Sequence, residues 1–417
     1  MSDLLWPGDD RAGDLMSDIA LMHAMVRVES AWLGALVEVK VADPAASDDL
    51  GDLVNDDDVA GISAAAEAGG NPVIPLVALL RERVRERTPD AARWIHRGLT
   101  SQDVLDTALQ LALQEVAGRL DEALRTQAAA VAALATDHRR SVMAGRTLTQ
   151  HAVPTTFGLK AATWLHGLLD AGDDLDRVAA GLATQFGGAA GTLAGATRLA
   201  ELAGLAEPDR CALELATHAS QTLGLPAVLP WHTARARMTR VGDALVGYTD
   251  AVGRIANDVL VLSRPEIAEL GEPGGEGRGA SSAMPQKRNP VLSVLIRRAA
   301  LAAPSAGAQL HLAAAEAVDE RPDGAWHTEW TTIRTLARRA VVAAGQTSDL
   351  LTGLRVEVSR MEANAANASA ELLAEGQSLT TDKTSASLKD PADYLGANDR
   401  LIDAALDRAR SFLDARS

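Results

Sequence analysis

Three segments of the chain carry side chains that could bind or transform a small anion. In the first, residues 96–103 (HRGLTSQD), His96 precedes Thr100 and Ser101 at the start of a predicted long helix. Free N–H groups at a helix N-terminus can bind a carboxylate together with hydroxyls, and His96 could add a charge or a proton. The same spacing also fits a capping box in which Asp103 reaches back to Thr100, which is a structural role only.

The second segment, residues 145–151 (GRTLTQH), precedes a helix that we predict to begin near Pro154, because proline is favoured in a first helical turn. Arg146 has the planar donor set that binds a carboxylate through two parallel hydrogen bonds. The spacing alone favours a simpler interpretation, in which Arg146 is a solvent-facing side chain in a loop.

The third segment, residues 279–290 (GASSAMPQKRNP), places two serines between glycines and a pair of cations. Glycines permit a mobile loop, and Lys287 or Arg288 beside Ser281 or Ser282 could lower the cost of forming a serine alkoxide. The alternative is a disordered linker, which the density of chemically specific side chains disfavours.

Aromatic and histidine side chains cluster at two further places. Residues 326–330 (WHTEW) follow an acidic and basic run at 319–321 (DER), and residues 231–235 (WHTAR) form a smaller cluster. Either cluster could line a site, but for the first we favour packing at a domain junction. The glycine-rich stretch 185–192 (QFGGAAGT) lacks the context of a phosphate loop or a dinucleotide fingerprint, so we expect a tight turn with close backbone approach.

Long helices must position these segments. Apolar residues recur at helical spacing over residues 17–41, 104–137, 155–183, 234–263, 290–318 and 328–353. Aromatic residues make up only 3% of the chain, so Leu, Val, Ile and Ala must fill the core, and small Ala faces let helices approach closely. No Gly or Asn turn signals separate alternating strands, so no hairpin is predicted. We therefore predict an all-α fold, a bundle of long helices.

Less regular stretches suggest where this bundle divides. Residues 43–70 are acidic and turn-rich, and we interpret the acid run as a solvated surface rather than a metal site. Residues 264–289 are rich in glycine and proline, and residues 376–391 are polar. We predict a small N-terminal helical domain over 1–103, a central long-helix bundle over 104–353 with a loop at 271–290, and a reduced C-terminal helical domain over 354–417.

Composition limits the classes of partner and the compartment. The 417 residues carry a net charge of −16, which argues against general electrostatic binding of nucleic acid or anionic membrane. The single cysteine, Cys211, allows no internal disulfide and no thiolate metal cluster. The N-terminus lacks a signal-peptide pattern, and no apolar run approaches the ~20 residues of a membrane span. We therefore predict a cytoplasmic protein.

Taken together, these segments resemble the fumarase/aspartase superfamily, which includes adenylosuccinate lyase. The ten residues 281–290 (SSAMPQKRNP) are similar to its signature loop, and this match is highly specific. Finer features resemble the bacterial 3-carboxy-cis,cis-muconate cycloisomerases within the superfamily, and the resemblance covers roughly residues 10–370 and resumes at 391–396. These features are residues 100–104, 185–189, 230–233 and 326–330, and the element 145–147 followed by Leu148 where the lyases carry a histidine.

The resemblance implies an all-α homotetramer whose active sites each combine segments from three subunits, and a reaction without metal or organic cofactor. The expected substrate is a small tricarboxylate. In such enzymes one carboxylate of 3-carboxymuconate adds across a conjugated double bond to give 4-carboxymuconolactone. A proton joins the carbon beside another carboxylate, through an enediolate-like intermediate.

The resemblance also implies roles for individual residues. Ser282 matches the general base of related lyases, and we hold Ser282 and His96 as the leading proton-transfer pair, with His151 as a substitute and Lys287 as a catalytic cation. Charge on the enediolate is best met by preorganised donors in a closed site, and the glycine-rich loop at 271–282 suits closure. The expected substrate-binding residues are Thr100, Ser101, Arg146, Thr147, Gln150, Arg235, Ser281, Met284, Asn289, Arg321, Trp326 and His327.

The sequence departs from the family pattern at several positions. Ala234 and Ala236 replace a Gln and an Asp usual in related sequences, so a substrate-binding amide is missing. The stretch 375–391 is shorter than usual, which predicts a reduced C-terminal cap and a more open pocket. Two other functions stay open: a β-eliminating lyase acting on adenylosuccinate or another succinyl compound, and a non-catalytic helical oligomer. Leu148 and residues 326–330 argue against adenylosuccinate, and the intact signature loop argues against a non-catalytic role.

Overall fold

The computed structural model describes residues 3–275, 277–379 and 388–416, and it is mostly helical, which confirms the predicted all-α fold class. The expectation for the stretch 375–391 falls largely on residues 380–387, which lie outside the described residues. The helices are α1 (Asp18–Glu38), α2 (Asp58–Gly69), α3 (Val73–Arg87), α4 (Pro89–Ala92), α5 (Ser101–Asp137), α6 (Phe157–Gly181), α7 (Ala194–Leu202), α8 (Pro208–Leu223), α9 (Ala236–Leu262), α10 (Val291–Ala315), α11 (Gly324–Thr352), α12 (Val358–Asn367), α13 (Ser369–Ser378) and α14 (Asn398–Asp414). The strands are β1 (Val142–Thr147), β2 (Gln150–Thr156), β3 (Leu270–Gly271) and β4 (Arg355–Val356).

The chain forms two compact units, and the boundaries between them fall inside long helices rather than in loops. The three-domain division at residues 103 and 353 stays a prediction. The first unit contains Met1–Gly118, Asp176–Asp243 and Ser305–Arg338, and the second contains Arg119–Leu175, Ala244–Pro304 and Arg339–Ser417.

Aliphatic side chains dominate the buried core, as the low aromatic content predicts. In the first unit, Trp32 on α1 is an exception: it packs on Phe186 with ring centroids 5.2 Å apart and donates its indole N–H to the carbonyl of Arg97. In the second unit, α9 and α10 approach so closely that a Cβ on Gly253 would lie 2.4 Å from the Cβ of Ala300. Small residues therefore set the helix spacing there.

A β-hairpin stands where we predicted none, and the helix predicted near Pro154 begins instead at Phe157. Strands β1 and β2 pair antiparallel, with Thr147 opposite Gln150 and a register shift at Gly145. A Cβ at Gly145 would lie 2.4 Å from the carbonyl oxygen of Val153, so only glycine fits. The hairpin carries no turn signal in the sequence, because its two-residue turn is Leu-Thr, without the usual Asn or Gly.

The hairpin turn predicts a stabilising double substitution. Leu148 and Thr149 both have positive φ values, 48° and 69°, which L side chains adopt at a cost. The combined change Leu148→Asn and Thr149→Gly fits the preferred turn chemistry and is expected to raise the free energy of unfolding by about 1 kcal/mol, measured in urea. The similarly exposed Leu229→Asn is the control and should change stability by less than about 0.5 kcal/mol. Equal stability of the double variant and the wild type would show that the turn is not strained.

The acidic stretch is a surface tied to α3 by arginines, which agrees with its interpretation as a solvated face. Arg83 binds Asp58 through two contacts of 2.6 Å, and Arg87 pairs with Asp48 and Asp52. Among the described residues, no group of three His, Cys, Asp or Glu side chains is placed to hold a metal ion.

Two helices, α1 and α10, are long and apolar enough to cross a membrane by length and composition alone, which corrects the expectation that no apolar run approaches that length. Such helices are weak evidence of a span, because the core helices of soluble proteins pass the same test. In α1, 61% of the apolar window is buried inside the structure, as in a core helix, whereas only 33% of the α10 window is buried.

Candidate functional site

The start of α5 is organised by one buried carboxylate. Asp103 Oδ2 accepts from the backbone N–H groups of Thr100 (3.0 Å) and Gly188 (2.9 Å). Its Oδ1 accepts from the N–H of Gly187 (2.9 Å) and contacts Nε2 of His232 (3.0 Å). The capping interaction predicted between Asp103 and Thr100 is therefore present. The predicted tight glycine turn is also present, since a Cβ at Gly187 would lie 2.7 Å from the His232 ring.

A pocket of about 420 Å³ lies beside the N-terminus of α5 in the first unit. We call it the α5 pocket. Four of its lining residues were expected to bind substrate: Ser101, Arg321, Trp326 and His327. The Arg321 guanidinium lies over the Trp326 ring, 5.2 Å from its centroid, and donates to Thr100 Oγ1 at 2.9 Å. Its other lining residues are Gly69, Asn71, Ile74, Pro322 and Asp323.

Two backbone carbonyls hold the His327 ring in place. Its Nδ1 lies 2.9 Å from the carbonyl oxygen of Asp323, and its Nε2 lies 2.9 Å from the carbonyl oxygen of Gly70. Both ring nitrogens thus contact backbone carbonyl oxygens, which fixes the ring in the pocket wall. Arg321 supplies the positive charge that suits an anionic group.

His96 pairs with a carboxylate that sequence reasoning missed. Its Nδ1 lies 2.6 Å from Oε1 of Glu29, which is fully buried on α1. Burial by itself lowers the pKa of His96, but the charge and hydrogen bond of Glu29 outweigh it and hold that pKa above its ordinary value. Glu29 lies 67 residues away within an apolar helix, and its one sequence signal is a lone acid on the buried face.

This pair predicts a pH-dependent difference in stability. A histidine whose pKa is raised on folding contributes stability that is complete below its unfolded pKa of about 6.5 and is lost as pH rises through the folded pKa. Glu29→Gln should therefore cost more free energy of unfolding at pH 5.5 than at pH 8.5. The control is Asp243→Asn in the exposed His311–Asp243 pair, which should cost little at either pH. A Glu29→Gln cost that does not fall with rising pH would contradict the interpretation.

Arg235, which we expect to bind substrate, lies within a buried group of charges. Its side chain has no exposed surface, and buried carboxylates surround it: Asp106 at 2.7 and 3.1 Å, and Glu329 at 2.5 and 3.1 Å. A guanidinium with its nitrogens bound in this way has no free face for a ligand. Sequence reasoning included Glu329 in the cluster 326–330 without a role for it, and it missed Asp106, which lies three residues after Asp103.

In the second unit, the hairpin carries the expected cation and histidine. Arg146 binds the buried Glu269 through two contacts of 2.8 and 3.1 Å, and Asn364 also donates to Glu269 at 2.8 Å. The bidentate geometry predicted for Arg146 is therefore used on a carboxylate of the chain itself. His151 contacts the exposed Glu371 at 2.7 Å, and Thr147 and Gln150 are exposed at the turn.

The segment 279–290, which contains the signature loop 281–290, is closed at its base and is not an open linker. Asn289 donates its backbone N–H to the carbonyl of Gly279 at 2.9 Å, and Ala280 and Arg288 form a bridge. Gly279 has a φ of 71°, and a Cβ there would lie 2.5 Å from the Asn289 carbonyl oxygen. Past this base the loop is solvent-exposed.

The tip of this loop presents the expected catalytic groups. Ser281 Oγ accepts from the N–H groups of Ala283 (3.4 Å) and Met284 (3.2 Å), which turns the chain. The side chains of Ser282, Met284 and Lys287 are exposed. The Ser282 hydroxyl and the Lys287 ammonium group are thus accessible to a ligand at the tip of the loop.

Comparison with known proteins agrees with these features. The sequence profile of the Lyase family matches residues 25–304. A nitrosuccinate lyase from Streptomyces davaonensis is 43% identical over 84% of this chain and 73% of its own length. A 3-carboxy-cis,cis-muconate cycloisomerase from Bradyrhizobium diazoefficiens is 40% identical over 84% of this chain and 74% of its own length.

Solved structures give the same result for the fold. The 3-carboxy-cis,cis-muconate lactonizing enzyme from Pseudomonas putida aligns with a TM-score of 0.82 and 27% identity, covering 96% of this chain and 97% of that one. With the matched family profile and these relatives, the chain belongs to the Lyase family of the fumarase/aspartase superfamily.

Proposed function

We propose that this enzyme converts 3-carboxy-cis,cis-muconate to 4-carboxymuconolactone. The observation that carries the proposal is the α5 pocket, where Ser101 and Arg321 bring a hydroxyl and a guanidinium to a space of about 420 Å³. The identity to named cycloisomerases supports it further. The fold alone would leave the reaction open, since one fold hosts many chemistries.

The chemistry assigns a task to each group. A substrate carboxylate oxygen forms a C–O bond to one alkene carbon, and the alkene electron pair moves toward the carbon beside a second carboxylate. That carbon takes a proton, and the reverse reaction removes it. We assign this proton transfer to Ser282, with Lys287 lowering the cost of its alkoxide, and we keep His96 and His151 as alternative partners. The α5 pocket holds a carboxylate that does not react.

The proposal includes a cytoplasmic homotetramer in which several copies contribute to each site. Helix α10 supports self-association, because Val294, Leu301 and Leu312 are large apolar side chains exposed along it. An apolar helix left uncovered in this way is typical of an oligomer interface. Assembly would let the α5 pocket, the hairpin and the signature loop of different copies act on one substrate.

Elimination from nitrosuccinate is a second candidate, and two observations favour it. The nitrosuccinate lyase is 43% identical, and the burial of Arg235 removes one cation expected to meet a third carboxylate. In that reaction a base removes a proton beside one carboxylate, the C–N bond breaks, and fumarate and nitrite leave. The same serine and pocket would serve both reactions.

Comparing kcat/KM for the two substrates tests the proposal. The expected result is loss of diene absorbance with 3-carboxymuconate at a kcat/KM well above that for nitrite release from nitrosuccinate. Arg321→Gln should raise KM about tenfold, whereas Arg198→Gln, an exposed arginine paired only locally with Glu201, should leave it unchanged. Faster nitrite release would favour the second candidate, and turnover of neither substrate would overturn both.

A further inference from the structure

A buried group of charges lies behind the α5 pocket. Arg235, Asp106 and Glu329 are all fully buried, with one cation between two carboxylates. Isolated charges are costly to bury, so each must be held by several partners. Stability alone does not explain such a group, because well-packed apolar side chains of similar volume often give an equal free energy of unfolding.

The two carboxylates differ in the groups that donate hydrogen bonds to them. Asp106 accepts from Arg235 through both oxygens, from Gln102 at 3.1 Å and from the Trp326 indole N–H at 2.9 Å. Within the described part of the chain, the hydrogen bonds to the Glu329 carboxylate come from Arg235. Burial raises the pKa of Glu329 although Arg235 opposes it. Asp106 is therefore the carboxylate that connects the charges to their surroundings.

Trp326 links this group to the pocket. Its indole lines the α5 pocket, and Arg321 lies over its ring while donating to Thr100. Without the bond to Asp106, the buried indole N–H would be unsatisfied and the ring free to turn. A rotated ring would move the surface on which the Arg321 guanidinium rests.

We propose that Arg235 and Asp106 are positioning residues, which orient Trp326 and through it the Arg321 guanidinium that receives a carboxylate. The inference rests on the proposed function only in taking a small carboxylate as the ligand. Neither Arg235 nor Asp106 touches the substrate. Their effect passes through one hydrogen bond, from the Trp326 indole to Asp106.

A double-mutant cycle on binding of fumarate, measured by calorimetry, tests this without requiring turnover. Asp106 Oδ2 accepts from Arg235 at 2.7 Å and from Gln102, whereas Oδ1 accepts from Arg235 at 3.1 Å and from Trp326. In Asp106→Asn we expect the amide oxygen to keep the shorter Oδ2 contact with Arg235, so the NH2 group replaces Oδ1 and the Trp326 bond is lost. Asp106→Asn and Trp326→Phe should each weaken fumarate binding about tenfold. The double variant should be weakened about tenfold rather than a hundredfold, because both changes remove the same interaction. A hundredfold loss would overturn the proposal.

The Arg338–Asp9 pair provides a matched control. It is also a buried ion pair of the first unit, with contacts of 2.8 and 3.2 Å. Asp9→Asn should lower the free energy of unfolding but leave fumarate affinity unchanged. Added to Trp326→Phe, it should likewise leave the fumarate affinity at the value of the single Trp326→Phe variant. If Asp9→Asn loses as much fumarate affinity as Asp106→Asn, the loss in both variants reflects general destabilisation. That result would contradict the positioning role.

A second pair of variants covers the case in which Asp106→Asn does not fold. Arg235→Lys keeps the charge beside Asp106 and should retain fumarate affinity within about threefold, whereas Arg235→Met should lose about tenfold. Equal affinity of the Lys and Met variants would overturn the proposal. If fumarate binds as expected but neither candidate substrate turns over, the proposed reaction fails while the positioning role stands.

Discussion

Replacing Ser282 by alanine is expected to lower kcat by ~10²–10⁴-fold, the range for losing a positioned acid or base. The exposed Ser282 side chain contributes nothing to the core, so the fold and its unfolding midpoint should not change. We expect the substitution to change kcat without changing stability, because other residues close the base of the loop. These residues are Gly279, Ala280, Arg288 and Asn289. Steady-state kinetics and a thermal melt on the same preparation measure both.

The control for this substitution is Ser411→Ala on α14. Its hydroxyl donates only to the carbonyl one turn earlier, so kcat should stay at the wild-type value. Near-normal turnover of Ser282→Ala would remove Ser282 from the mechanism and leave His96 and His151 as the groups to examine.

The second large effect is on stability, at Asp103. Its two oxygens accept from three backbone N–H groups and from His232, and the side chain is fully buried. In Asp103→Asn an NH2 group replaces one oxygen and points at N–H donors, so two hydrogen bonds are lost and the donors stay buried. We expect a loss of about 3–5 kcal/mol in the free energy of unfolding, measured in urea.

Asp43→Asn is the matched control for Asp103. Asp43 is exposed and accepts one hydrogen bond, from Ala45 at the start of a short helical turn. Its loss should cost no more than about 1 kcal/mol. If Asp103→Asn costs no more than Asp43→Asn, the α5 start does not depend on this carboxylate.

Helices were predictable from the sequence because their apolar spacing is a local signal. The segment predicted over 104–137 corresponds to α5, and that over 328–353 corresponds to α11. The hairpin was not predictable, since Leu148 and Thr149 carry no turn signal and take positive φ values against their own preference. Tertiary contacts of β1 and β2 must therefore impose that turn.

For the candidate site, motifs identified the groups that face a ligand but not the carboxylates behind them. Ser101, Arg321, Trp326 and His327 were singled out from short local patterns and lie around one pocket. The acids that pair with two other predicted residues lie far along the chain: Glu29 is 67 residues from His96, and Glu269 is 123 residues from Arg146. A local sequence pattern does not show which distant carboxylate pairs with a given arginine. The pairing becomes visible only in the folded structure.

The net charge of −16 describes the whole molecule and does not determine the charge at one site. Much of the acid is paired: Asp48, Asp52 and Asp58 hold arginines of α3, and Asp106 and Glu329 hold Arg235. What a ligand meets at the α5 pocket is set by the side chains that line it, such as Arg321 and Ser101, rather than by the total charge. Local donors therefore permit an anionic substrate on an acidic protein.

The most direct test of the central claim is conversion of 3-carboxymuconate in D₂O, followed by NMR with the wild-type enzyme and Ser282→Ala. We expect 4-carboxymuconolactone with one deuterium on the carbon beside a carboxylate, formed at least ~10²-fold more slowly by the variant. No lactone from the wild type, or lactone at equal rates from both proteins, would contradict it.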